Sequence, residues 1–194
     1  MKLKITFIEP LLGTASANPE IHKEFIASHA PDAPSRNEEV AAIGVDESVG
    51  KTMTVFPRTD GTPHLWDYQI KGYFKDACAM LSRVKTTKSS AIKAYKKIID
   101  GLVFVAPRII PLQLGGKPIT SLQRPLRAQT AQGERIALAN SECAPAGTAI
   151  EIEVNLLDKA HEKLVREWLD YGKLRGLGQW RNSGMGRFEW EEVK

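Results

Sequence analysis

Two helical stripes set among alternating strand patterns assign this 194-residue chain to the α+β class. The first stripe is Ile70, Phe74, Ala77, Cys78 and Leu81, apolar positions spaced for one face of a helix over 69–81. The second is Leu164, Val165, Trp168 and Leu169, in a helix over 159–171 that Asp158 caps. The third observation is alternation. Leu3, Ile5 and Phe7 near the N-terminus, and Ile150, Ile152, Val154 and Leu156 before the second helix, each mark one face of a half-buried strand.

The remaining elements follow in order. Residues 2–9 form the first strand and 11–17 a small-residue loop. Asn18 caps and Pro19 opens a helix that runs to about His29, where Pro31 and Pro34 end it. A short helical pattern covers 37–43. Strands at 52–56 and 64–66 flank the Asp60-Gly61 turn. After the first amphipathic helix, a basic loop over 84–90 leads to Ser89 or Ser90 as the cap of a helix over 91–100, ended by Gly101. Residues 102–106 read as a buried strand that continues to about Leu112 past Pro107. Gly115-Gly116 turns the chain, and 122–130 and 135–140 are the arms of a hairpin around Gln132-Gly133. The last strand covers 187–193.

Stripped of insertions, the order is strand, helix, strand, strand, helix, strand. That is the ferredoxin-like βαββαβ antiparallel arrangement. It is also the order of the RNA-recognition module, whose sheet presents stacking surfaces to bases. No linker divides the chain. The expectation is one domain over 1–194, with an acidic insertion at about 18–50 and a hairpin insertion at about 115–145.

Composition excludes several classes. No apolar run is long enough to cross a membrane. The N-terminus lacks a signal-peptide apolar core and reads as a strand. Cys78 and Cys143 are isolated and make no zinc spacing, as expected of a cytoplasmic protein with free thiols. No P-loop or serine-hydrolase elbow is present, and no metal or cofactor is expected. A net charge of +4 permits a polyanionic partner. The charge is unevenly distributed. Residues 18–50 hold seven acids against Lys23 and Arg36, and residues 71–97 hold eight bases against Asp76. Two accounts fit: an intramolecular match of two solvated faces, or a nucleic-acid track along the basic segment.

The most informative stretch is GLGQWRNSGMGRF, 176–188. It lies directly between the second helix and the last strand. Glycine at a helix end explains Gly176 and Gly178. It does not explain Gly184 and Gly186, or the cluster of Arg175, Arg181 and Arg187. Free backbone N–H groups beside arginine make a cradle for phosphate oxygens, and Trp180 can stack on a base. The order helix, loop, strand is the reverse of a dinucleotide fingerprint.

With these motifs set side by side, the chain resembles the RAMP superfamily (repeat-associated mysterious proteins), and most of all the backbone subunits of type III CRISPR effectors. Residues 176–188 resemble that family's C-terminal glycine-rich loop. Residues 60–77 resemble the segment in which a turn leads to a helix opened by Leu-Lys-Gly, here Ile70, Lys71 and Gly72. Residues 140–157 resemble the turn and strand before the second helix. Leu12-Gly13-Thr14 stands where the family has a glycine after its first strand. The chain departs from the pattern at Trp66, Asp67, Tyr68 and Gln69, where the family has Pro-Gly-Ser-Ser. It is also short for a backbone subunit, as a reduced, stand-alone member would be.

The resemblance implies a protein that grips an RNA backbone, with RNA and other effector subunits as partners and no membrane. Its implied RNA-binding residues are Lys71, Lys75, Arg124, Arg127, Arg175, Gly178, Trp180, Arg181, Gly184, Gly186 and Arg187. Arg124, Arg127 and Arg135 fall on the hairpin as a projecting thumb. Two other roles stay open: an anti-CRISPR decoy that mimics an effector subunit, and a metal-independent endoribonuclease. His22 and His29 lie two turns apart on one helix face. With Asp32 and His64 they are the candidates for general-base work, but no constellation fixes them, and binding takes precedence over catalysis.

The prolines and charges of the acidic segment fit no core strand. Deleting residues 31–45 is therefore expected to leave a single cooperative thermal transition, read by circular dichroism.

Overall fold

The computed structural model describes residues 1–17, 53–130 and 133–193. The expected helices at 19–29 and 37–43, and the acidic segment around them, lie outside the described residues.

The alternation in the sequence becomes a four-stranded antiparallel sheet. Strand β1 (Lys2–Phe7) lies at its centre. On one side it pairs with β11 (Ala149–Leu156), matching Leu3 with Ile152 and Ile5 with Ile150. On the other side it pairs with the last strand, β12 (Phe188–Glu192), matching Phe7 with Phe188. Strand β7 (Val103–Ala106) completes the sheet on the far edge of β11. Leu3, Ile5, Phe7, Ile150, Ile152, Val154, Val103 and Phe188 all point to one face and are buried.

Two helices cover that face. Helix α1 (Asp67–Leu81) buries Ile70, Tyr73, Phe74, Ala77 and Cys78. Helix α3 (Glu162–Asp170) buries Leu164, Val165, Trp168 and Leu169. The two helices touch each other. Phe74 packs on Trp168 at 5.6 Å between ring centroids, and the Tyr73 hydroxyl donates to the Trp168 carbonyl at 2.7 Å. Burial of that phenol raises its pKa. Phe188 joins strand to helix, 5.2 Å from the Tyr73 ring and 6.1 Å from Phe7.

Among the described residues, no helix covers the opposite face of the sheet. That face carries Lys2, Lys4, Glu151, Glu153, Glu189 and Glu191, with Lys4 opposite both Glu151 and Glu191. An RNA-recognition sheet offers aromatic rings there. Here four glutamates face two lysines, and the exposed ring on this side is Phe104 on the edge strand β7.

Further elements depart from the expected boundaries. Residues 11–17 contain two short strands, β2 (Leu11–Leu12) and β3 (Ala15–Ser16). They join β4 (Met53–Val55) and the hairpin arms β9 (Thr120–Thr130) and β10 (Gly133–Ala144) in a second sheet. The expected strand over 102–112 is broken at Pro107, which has no N–H for a ladder. Its second half is β8 (Ile109–Pro111), which pairs instead with β6 (Thr62–Trp66). Strand β6 also pairs with β5 (Arg58–Thr59) across the Asp60-Gly61 turn.

Ser89 and Ser90 do not cap a helix. They lie in a 3-10 turn, Lys88–Ala91, and helix α2 (Tyr95–Leu102) starts later, after Ala94 at φ 54°. The reason is Glu167 on α3. Its carboxylate accepts from the backbone N–H groups of Lys88 (2.7 Å) and Ser89 (2.9 Å) and from the Ser89 hydroxyl. Trp168 Nε1 donates to the same hydroxyl at 3.0 Å. Burial pushes the Glu167 carboxyl upward, but these hydrogen bonds overcome it and hold the group below its ordinary value.

A depressed carboxyl contributes stability above its unfolded pKa and loses it as pH falls through the folded value. Glu167→Gln is expected to cost about 2 kcal/mol at neutral pH, the scale of hydrogen bonds to a charged acceptor. The difference from wild type should shrink as the wild-type carboxyl becomes protonated, as urea denaturation at several pH values will read.

Candidate nucleic-acid interface

Helix α4 (Gly172–Arg175) follows α3, and the glycine-rich loop follows α4. The loop closes on itself. Leu177 N donates to the Gly186 carbonyl at 2.9 Å, and Gly186 N donates to the Pro10 carbonyl at 2.8 Å. A Cβ on Gly186 would stand 1.9 Å from the Leu177 oxygen, so no other residue fits there. A Cβ on Gly178 would press on Leu11 and the Leu12 carbonyl, at 3.0 and 3.3 Å. These two glycines serve the packing of the loop on its own chain. Gly184 differs: its nearest neighbour is the Arg187 guanidinium, 3.5 Å from where a Cβ would stand. Between them Trp180 has φ 55°, a left-handed conformation that costs a bulky residue about 1 kcal/mol or more.

Charge is arranged around Asp76 on α1. Arg175 donates to it twice, Nε at 2.8 Å and Nη2 at 3.3 Å, and Arg181 Nη1 donates at 2.6 Å. Arg175 Nη1 also reaches Asn182 Oδ1 at 3.2 Å. Burial raises the Asp76 pKa, yet the hydrogen bond from Arg175 and the two guanidinium charges hold it below the ordinary range. One carboxylate thus ties the start and the middle of the loop to α1. Arg187 has no such partner among the described residues, and its Nε is buried without an acceptor.

Arg124 connects the loop to the hairpin. From β9 its Nη2 donates to Gln179 Oε1 and its Nη1 to Ser141 Oγ, both at 3.1 Å. Its guanidinium lies over the Trp180 ring, 4.8 Å from the centroid. The residue is 6% exposed, and desolvation lowers its pKa. Arg124 therefore acts inside the protein as a strut and shields one face of Trp180. Arg127 and Arg135 are placed by backbone alone, Arg127 opposite Ile136 and Arg135 opposite Ala128 in the hairpin ladder.

The structure separates the two lysines from this group. Lys71 Nζ donates to the Asp100 carbonyl at 3.1 Å and lies 5.1 Å from the Phe104 ring centroid. Lys75 pairs with the Asp100 carboxylate. Both therefore face the end of α2, while Asp76 faces the loop. His64 is fully buried against Trp66, 4.7 Å between centroids, and burial lowers its pKa. His22, His29 and Asp32 lie outside the described residues.

Several contributors escaped the sequence reading. Asp76 had one signal, as the lone acid in the basic stretch 71–97. Gln69 had another, at the departure from the family pattern: its Oε1 accepts from Trp66 N at 2.8 Å at the start of α1, and its Nε2 donates to Thr14 Oγ1 at 2.7 Å. Glu142 pairs with Arg58 and accepts from Phe56 N at 2.7 Å, fixing β10 to the segment after β4. No sequence spacing announces that contact. Among the described residues, no cluster of ligating side chains is placed to hold a metal.

The fold matches a chain in the cryo-EM structure of the type III-B Cmr-beta bound to cognate target RNA. The TM-score is 0.53 at 13% identity, over all of this chain and 58% of that one. A chain of a type IV-B CRISPR complex aligns at a TM-score of 0.46 and 11% identity, over 98% of this chain and 88% of that one. This chain thus spans little more than half of the Cmr-beta chain whose fold it shares. No protein-family model matches the chain, and no curated protein matches it by sequence.

The loop geometry separates two glycines. Gly186→Ala is expected to cost more than about 2 kcal/mol, because the new methyl group collides with backbone. Gly184→Ala should cost about 1 kcal/mol, from positive φ alone. Urea titration of the two variants reads the difference.

Proposed function

We propose that this protein binds RNA as a RAMP-like subunit of a CRISPR effector, gripping the RNA backbone at the glycine-rich loop. In this reading the sheet order β12-β1-β11-β7, with α1 and α3 on one face, is a ferredoxin-like βαββαβ core. The protein works in the cytoplasm, with RNA and neighbouring subunits as its partners. The carrying observation is the loop itself. Closely packed glycines and the Asp76 clamp hold Trp180 in a strained conformation, and the same loop carries Arg187, whose Nε has no acceptor among the described residues. Strain held in place by a rigid surround is a feature of binding sites. An aromatic ring and an unpaired guanidinium carried by one loop suit a nucleotide, which offers one base to stack and one phosphate to bind. Shared fold with a chain of an RNA-bound effector supports the class of partner. Nothing among the described residues favours the decoy or the endoribonuclease reading.

Trp180→Ala and Arg187→Ala should each weaken binding of single-stranded RNA roughly tenfold, about one stacking or charge-assisted contact. The loss for Arg187→Ala should shrink at high salt, and that for Trp180→Ala should persist. Fluorescence anisotropy at two salt concentrations separates the two. Equal RNA affinity in wild type and both variants would make the loop a structural connector.

A further inference from the structure

Positive charge concentrates in this chain where the fold makes no use of it. Residues 82–97, between the end of α1 and the middle of α2, carry Arg83, Lys85, Lys88, Lys93, Lys96 and Lys97 and no acid. All six are exposed. Other groups hold the segment in place. The Thr87 hydroxyl donates to the carbonyls of Leu81 (2.7 Å) and Val84 (2.9 Å), and the Ser90 hydroxyl to that of Thr87 (2.6 Å). Glu167 and Trp168 anchor the 3-10 turn through backbone N–H groups and the Ser89 hydroxyl. Among the described residues, none of the six cationic side chains makes a hydrogen bond or an ion pair. Lys88 lies near a carboxylate, that of Glu167, whose oxygens are turned to backbone N–H groups and the Ser89 hydroxyl. The cations at the loop are the opposite case: Arg175, Arg181 and Arg124 are all engaged internally.

Six like charges on a rigid, anchored segment repel one another and return nothing to the fold. We propose that 83–97 is a second RNA-contact face, which engages phosphates without reading sequence. The inference rests on RNA as the ligand but not on the loop as its site. A phosphate chain fits this surface better than a protein does. A protein interface needs apolar anchors at its centre, and among these six cations the one large exposed apolar residue is Val84. Phosphate binding needs only cations and hydroxyls. Seven residues, about 10 Å of helix rise, separate Asp76 at the loop from Arg83.

The test compares wild type with Arg83→Glu/Lys85→Glu/Lys93→Glu, with the same triple to Gln, and with Arg187→Ala, all in the full chain. Labelled single-stranded RNA is titrated at three salt concentrations, and melting temperatures are recorded. The expected result is at least tenfold weaker binding for the Glu triple and a smaller loss for the Gln triple. The slope of log K against log salt should be shallower by about 2, some 0.7 for each of three phosphate contacts, with melting unchanged. Unchanged affinity and slope would overturn the proposal. So would a lowered melting temperature in both triples, which would show that the cations pair within the chain. Loss in Arg187→Ala alone would sink this face and leave the loop reading standing. Loss in the triples alone would do the reverse. Failure of wild type to bind RNA would remove both.

Discussion

Everything on the covered side of the sheet depends on helix α1, and on three consecutive turns of it. Phe74 and Tyr73 meet α3 through Trp168, and Tyr73 also touches Phe188 of the last strand. Asp76, turned the other way, holds the start and the middle of the glycine-rich loop. Lys71 and Lys75 close on the end of α2. One helix thus joins the core, the loop and the basic segment. Its buried aromatic contacts are worth about 2 kcal/mol or more each, and the polar contacts fix geometry more than they add stability.

The loop is rigid because the chain fills its own cradle. Gly186 and Gly178 make room for Leu177 and for Leu11 and Leu12. What the loop leaves for a ligand is correspondingly small: the half-buried Trp180 ring, shielded on one side by Arg124, and the half-buried Arg187. A site of this kind recognises a nucleotide by shape and charge at one point. Binding along a chain requires further contacts, and those lie elsewhere on the molecule.

Charge in this protein divides into three groups with different physics. Arg124 is buried and held by neutral acceptors and a ring, so it serves packing. Arg175 and Arg181 are half-buried and share a carboxylate, so they fix the loop. The cations of 83–97 are exposed and, among the described residues, unpaired. Charge of the last kind, and that of the unpaired Arg187 in the loop, is free to release counterions when a polyanion binds. The sheet face that no described helix covers carries four exposed glutamates, which disfavour such a ligand there.

Local patterns in the sequence determined the α+β class, both amphipathic helices, the hairpin and the strands at the two ends of the chain. Each of these depends on periodicity within a few residues, which the fold preserves. The motif 176–188 also stood out on composition. Only the tertiary structure decided what its residues do. Gly178 and Gly186 could be read as room for a ligand until Leu11 and Leu177 were seen to occupy it. Arg175 and Arg181 looked free until Asp76, a hundred residues away along the chain, met both. The strand over 102–112 split because its second half found a better partner in β6. Ser89 left the cap of α2 because Glu167 offered its backbone a carboxylate. In each case the deciding partner is distant in sequence, and a contact between distant residues leaves no period or spacing in the chain from which to read it.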